Sequence, residues 1–232
     1  KKHQRKQKKE QRRLQMDLIN TLILHIGLII VFGTWYYFVC HKASKDEDNL
    51  LHAVSSSFLA LKSKPFIPIL ILLAGLCCQL FVSGVLCLLH GIIPDAFASY
   101  DKLVQEANSA KTPLILILCI CILAPIGEEF LFRGVILYHA KRFMLPILAV
   151  LLQAILFGLY HGNVVQGIYA GFMGILLGAI VCKFKSIVPA MLLHFTVNTS
   201  LYIVPKQLYS TYNISIITTA ISGFLLVFIM AK

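Results

Sequence analysis

Residues 128–133 read EEFLFR, residues 157–161 read FGLYH and residues 194–198 read HFTVN. Each stretch sets ionisable or amide side chains inside an otherwise apolar run. An ionisable group there costs roughly 2.5–3.5 kcal/mol on insertion scales, so it marks a functional position by default. On a helix turning 100° per residue, Glu129 and Arg133 share one face. The acid lies on the N-terminal side, the better orientation for an ion pair. Glu128 points about 100° away, onto the face of Leu131, Phe132 and Val135. Arg133 can therefore neutralise Glu129 and leave Glu128 over. His161 shares a face with Phe157, four residues back, and His194 and Asn198 are also four apart. His194 and Asn198 can both donate hydrogen bonds in a dry cavity.

Each signal alone has a structural explanation: a buried charge pair, a satisfied core histidine, polar glue between helices. Together they make a hydrolytic set. Glu128 and His161 suit a base that activates water. His194 and Asn198 suit an oxyanion hole for a tetrahedral intermediate. The alternative chemistry places zinc on Glu128, His161 and His194, with water as fourth ligand. No HExxH stretch is present, so those ligands would come from separate helices. The cofactor is accordingly either none or Zn, and the residues leave both open.

The elements that position these groups are membrane helices. The chain has 232 residues, is 58% hydrophobic and is only 13% charged, too little polar surface for a soluble domain of this length. The expected fold is all-α, a polytopic transmembrane bundle with about seven to eight membrane helices around a polar cavity, since lipid requires internal satisfaction of every backbone polar group. The apolar stretches do not alternate, which argues against a β-barrel. Seven cysteines, mostly within apolar runs, look like buried hydrophobes and not a disulfide framework.

Expected spans cover about 18–40, 66–90, 113–142, 146–161, 163–182, 189–204 and 214–230. Some of these are too short to cross unaided. The stretch 50–64 suits the membrane interface, and PDAFASYDKLVQEA suits a short surface helix. Pro125 can kink the helix beside the glutamates. Gly167, Gly171, Gly174 and Gly178 form one helical stripe suited to close packing. Residues 1–112 form a basic flank with N-terminal membrane helices, and residues 113–232 a catalytic helical core, within a single membrane domain.

Of the net charge of +11, +7 lies in KKHQRKQKKEQRR at residues 1–13. Because this run leads straight into an apolar span, it is expected to be a cytosolic flank beside anionic lipid, with no nucleic acid as partner. LINTLILHIGLIIVFGTWYYFVC lacks a small-residue cleavage site, so a spanning helix is expected and not a cleaved signal. Lys141–Arg142 and Lys183–Lys185 also look cytosolic by the same rule. No site role is assigned to His25, His41, His52, His90 or His139.

With EEFLFR, FGLYH and HFTVN in this order, the sequence resembles the CPBP family of CAAX proteases and bacteriocin-processing enzymes, also called the ABI family. The resemblance covers about Pro113 to Val204. It implies an all-helical intramembrane endopeptidase whose cavity opens toward the cytosol. By motif match, Glu128 and His161 would activate water, His194 and Asn198 would stabilise the oxyanion, and Glu129, Arg133 and Phe157 would support the site. Family members are labelled metalloproteases, and a glutamate-dependent, metal-free mechanism is attributed to the family as well. The implied partners are a membrane-associated peptide or protein precursor and membrane lipid. The Lys-, Ile- and Leu-rich composition suggests a multi-pass protein of a bacterial cell membrane, for which bacteriocin processing fits better than prenylated tails. The competing functions are a catalytically silent binding, immunity or regulatory protein of the same fold, and a transporter using Glu128 and His161 as a proton relay. The absence of a repeated half weakens the transporter reading.

Overall fold

The structure, a computed structural model, describes residues 2–42, 66–107, 114–205, 208 and 212–231. Among the described residues there are eight helices and no strand: α1 (Lys2–Lys42), α2 (Phe66–Ile92), α3 (Pro94–Ala107), α4 (Leu114–Ala140), α5 (Pro146–Tyr160), α6 (Val164–Phe184), α7 (Val188–Ile203) and α8 (Tyr212–Ala231). Five of them contain stretches long and apolar enough to cross a membrane: Leu18–Val39, Phe66–Ile92, Leu114–Ala140, Val164–Phe184 and Asn213–Met230. The chain is a multi-pass integral membrane protein. At 15 and 16 residues, α5 and α7 are shorter. The stretch 50–64 lies outside the described residues.

Local signals explain the boundaries. Proline opens α5 and α7, where its missing N–H is an orphan in any case. Gly162 adopts φ +66° between α5 and α6, a conformation glycine reaches without steric penalty. Asn163 then caps α6, its side chain accepting from Gln166 N–H at 3.1 Å.

Contacts fix the directions. Gly127 of α4 lies against Leu28 of α1, and Gly134 lies against Tyr36, so α1 and α4 run parallel. Gly158 of α5 abuts the Gly167 carbonyl of α6, while Gly178 abuts Gln153 and Val150, so α5 and α6 run antiparallel. The glycine stripe thus packs α6 on α5. A Cβ at Gly158 would sit 2.5 Å from that carbonyl oxygen, and one at Gly174 would sit 2.8 Å from the Ala154 Cα. Glu129 and Ile120 of α4 meet His194 and Asn198 of α7, also antiparallel. Helix α2 packs on α7 and α8. Helix α3 is too short and polar to cross. It lies across the C-terminal end of α2 and the N-terminal end of α6 through His90–Asp101 (3.0 Å) and Asn163–Ser99 (2.9 Å).

These directions correct the charge assignment. Among the described residues α1 and α2 are the spans before α4, and α1 runs parallel to α4, so the N-terminus of α1 and the loops at Lys141–Arg142 and Lys183–Lys185 lie at opposite ends of the bundle. The rule favouring basic cytosolic segments can hold for one set only, not both.

Candidate active site

The site is built on α4, whose hydrogen-bond register is wide at two places. Residues Cys119–Leu123 and Phe130–Leu137 are π-helical and flank the turn Ala124–Glu129 that carries both glutamates. Such π segments occur often at functional sites. Proline explains the consequence of the first. The Ala124 N–H donates to the Cys119 carbonyl, five residues back. In that register the next donor would serve Ile120, but the next residue is Pro125, which has none. The Ile120 carbonyl instead accepts from Asn198 Nδ2 at 2.9 Å.

One turn further on, a charge chain runs inward. Arg133 Nη1 donates to Glu129 Oε1 at 2.8 Å, and both side chains are fully buried. The same oxygen accepts from His194 Nδ1 at 2.9 Å. His194 Nε2 then stands 3.7 Å from Glu128 Oε2. Arg133 also stacks over the Phe157 ring, 4.5 Å from its centroid, a cation–π contact. Its Nη2 reaches the Gly174 carbonyl at 3.4 Å. The buried Gln153 donates to that same carbonyl at 2.7 Å, so one backbone oxygen ties α4, α5 and α6 together.

Phe157 divides the charged network from the other histidine. Its ring meets His161 edge-on at 4.8 Å and His194 at 5.8 Å. His161 Nδ1 lies 2.8 Å from the Phe157 carbonyl. A carbonyl only accepts, so Nδ1 carries the proton and the neutral ring offers the Nε2 lone pair. Glu128, His161, His194 and Asn198 all line one cavity of about 650 Å³, with Phe157 in its wall. The cavity runs from Glu128 toward α3, where His90 and Asp101 line it.

Residues 110–200 match the family model for the type II CAAX prenyl endopeptidase, Rce1-like. That segment, 91 of the 232 residues, is similar to the CAAX prenyl endopeptidases. No curated protein and no solved structure matches the chain. The matched segment holds α4 to α7 up to residue 200, and so holds all seven residues singled out from the motifs.

The structure gathers those seven, and it adds a link that spacing on one helix does not display. Glu129 is held by Arg133 and also holds His194, so the pair reaches into the cavity wall. The zinc alternative rests on Glu128, His161 and His194. His161 and His194 each commit Nδ1 to an acceptor and keep Nε2, as metal-ligating histidines do, but among the described residues no three His, Cys, Asp or Glu side chains gather as a metal-binding group. Three further participants were not singled out from the sequence. Gln153 sits in an otherwise apolar helix, and His25 sits in an apolar span; each is a polar group whose placement there is costly. The Ile120 carbonyl carries no signal of its own, although Pro125 five residues on points to it.

Proposed function

We propose that this chain is a member of the CAAX protease family and an intramembrane endopeptidase. In this reading it hydrolyses a peptide bond of a membrane-associated peptide or protein precursor without a metal. The observation that carries the reading is the meeting of Glu128, His161, His194 and Asn198 around one cavity, with His194 clamped from behind by an ionised, buried pair.

A water between Glu128 and His161 Nε2 gives up a proton to Glu128 as its oxygen attacks the scissile carbonyl. His161 accepts a hydrogen bond from the same water and orients it. The carbonyl oxygen becomes an oxyanion. The second Asn198 N–H, the one not given to Ile120, and the His194 Nε2–H are the donors available to it. Glu129 accepts at His194 Nδ1, which fixes the ring with Nε2 toward Glu128. Collapse of the intermediate breaks the C–N bond, and the proton on Glu128 passes to the leaving amine. Glu129 and Arg133 stay ionised throughout.

The test is cleavage of an internally quenched apolar peptide by purified protein in detergent micelles. Glu128→Gln keeps the volume and removes the base. It should lower kcat by about 10²–10⁴-fold, the usual contribution of positioned acid–base catalysis, with an unchanged melting curve. Equal cleavage by Glu128→Gln and wild type would sink the mechanism. Tight, Glu128-independent peptide binding without any cleavage would favour the catalytically silent binder.

A further inference from the structure

Helix α1 lies outside the segment that matches the family, and its span Leu18–Val39 is largely unburied. It packs chiefly on α4. One residue of α1, His25, nevertheless lines the same cavity as Glu128. Its backbone carbonyl lies 3.5 Å from where a Cβ on Gly127 would stand. The absence of a side chain at Gly127 therefore lets α1 approach the turn that carries Glu128. Because α1 and α4 are parallel and Leu28 sits opposite Gly127, His25 falls about one turn from Glu128 toward the α3 end.

The ring is oriented by its own helix. His25 Nδ1 lies 2.7 Å from the Thr21 carbonyl, four residues back. That oxygen can only accept, so Nδ1 is the protonated nitrogen and neutral His25 keeps an acceptor at Nε2. His161 is held in the same way by the carbonyl four residues before it. Two helices thus bring imidazoles with fixed tautomers to one cavity. An ionisable ring in the middle of an apolar span is unfavourable unless it serves a purpose. Here the ring is half-buried at a cavity wall and not facing lipid alone.

On the α3 side of Glu128, the part of the cavity wall that α4 presents offers a bound peptide no side-chain acceptor. An extended peptide carries one N–H donor per residue, and each is left unpaired when its water is stripped away. Of the α4 residues that line the cavity, Ile120 and Ala124 precede Glu128, and their side chains cannot accept. We infer that His25 Nε2 accepts a hydrogen bond from a main-chain N–H of the bound peptide, on the α3 side of the scissile bond. This makes α1 part of the substrate site. The inference rests on the peptidase reading for the identity of the ligand as a peptide.

The test compares wild type, His25→Phe and His25→Gln on the internally quenched apolar peptide and on analogues of it N-methylated at one amide at a time. Phe preserves ring shape and apolar insertion and removes the acceptor; Gln retains an acceptor oxygen. His25→Phe should raise KM about three- to ten-fold, the size of one net hydrogen bond, with kcat and melting temperature unchanged. His25→Gln should recover most of the loss. One N-methylated analogue should bind wild type worse by a similar factor and bind His25→Phe no worse than the parent peptide. The same comparison is made for peptide binding by fluorescence anisotropy in a Glu128→Gln background, where no turnover is needed. If His25→Phe matches wild type in KM and in binding, or if its only effect is on melting temperature, the inference is overturned. If wild type cleaves nothing but peptide binding still depends on His25, the contact stands and the peptidase reading falls. Neither cleavage nor binding would overturn both.

Discussion

Replacing the buried ion pair tests whether Glu129 serves the fold, the site, or both. Arg133→Ala leaves the Glu129 carboxylate in the interior without its cation and removes the stacking on Phe157. Breaking a buried pair from one side costs about 3–5 kcal/mol. For a chain of this size each kcal/mol shifts the melting temperature by about 2–4 °C, so a fall of roughly 6–20 °C is expected. The double variant Glu129→Leu/Arg133→Met removes both charges and keeps most of the volume. Replacing a whole buried pair by apolar groups is often neutral or stabilising. The double variant also strips His194 Nδ1–H of its acceptor, which costs about 1–3 kcal/mol. Its melting temperature should therefore recover most, not all, of the loss seen in Arg133→Ala. Its activity should not recover, because the His194 ring loses the Glu129 acceptor that orients it. A loss of at least about 10²-fold is expected, the lower end for a positioned acid–base group. The assays are a thermal melt in detergent micelles and cleavage of the quenched peptide on the same preparations. Cleavage within about threefold of wild type by the double variant would refute the claim that Glu129 prepares His194. An Arg133→Ala melt equal to wild type would refute the buried pair itself.

Two further substitutions probe the backbone that supports this chain. Pro125→Ala restores an N–H that competes with Asn198 for the Ile120 carbonyl; the melting temperature should hold or rise while kcat falls, and unchanged kcat would show that Asn198 does not depend on that carbonyl. Gly158→Leu pushes a side chain into the Gly167 backbone, where even a Cβ would stand 2.5 Å from the oxygen. It should destabilise by about 1–3 kcal/mol as overpacking does, read as a lower melting temperature, and a stability equal to wild type would mean that α5 and α6 are not packed so closely.

The all-α membrane bundle was legible in the long apolar stretches, and parts of the candidate site in local spacing. The pairing of Glu129 with Arg133 follows from their spacing on one helix. The break at Gly162–Asn163 follows from a glycine and a capping residue, and the close packing of α6 from its glycine stripe. These are local features with a fixed geometry. The bond from Glu129 to His194 joins residues 65 apart in the chain, and no periodicity encodes which face of α7 meets which face of α4. His25 was passed over for the same reason: a lone histidine gains its meaning from the helix beside it. The basic loops misled because charge alone reports orientation only when the number of crossings before them is fixed, and the stretches 50–64 and 95–110 had left that number open.

The short helix α5 has a consequence for the surrounding lipid. Its 15 residues span about 22 Å, against a hydrocarbon thickness of about 30 Å. Its outer face is apolar, with Ile147, Leu151, Ile155 and Leu159 exposed. Beside it α4 has 27 residues, about 40 Å, and must tilt to fit. The bilayer cannot match both helices at once. Matching α5 calls for a bilayer thinned on its flank, at a cost of fractions of a kcal/mol for each Å. Water and headgroups then stand closer to His161, at the end of α5, than a flat membrane would allow. The depth of the site below the aqueous phase is therefore set by helix length as well as by position in the chain.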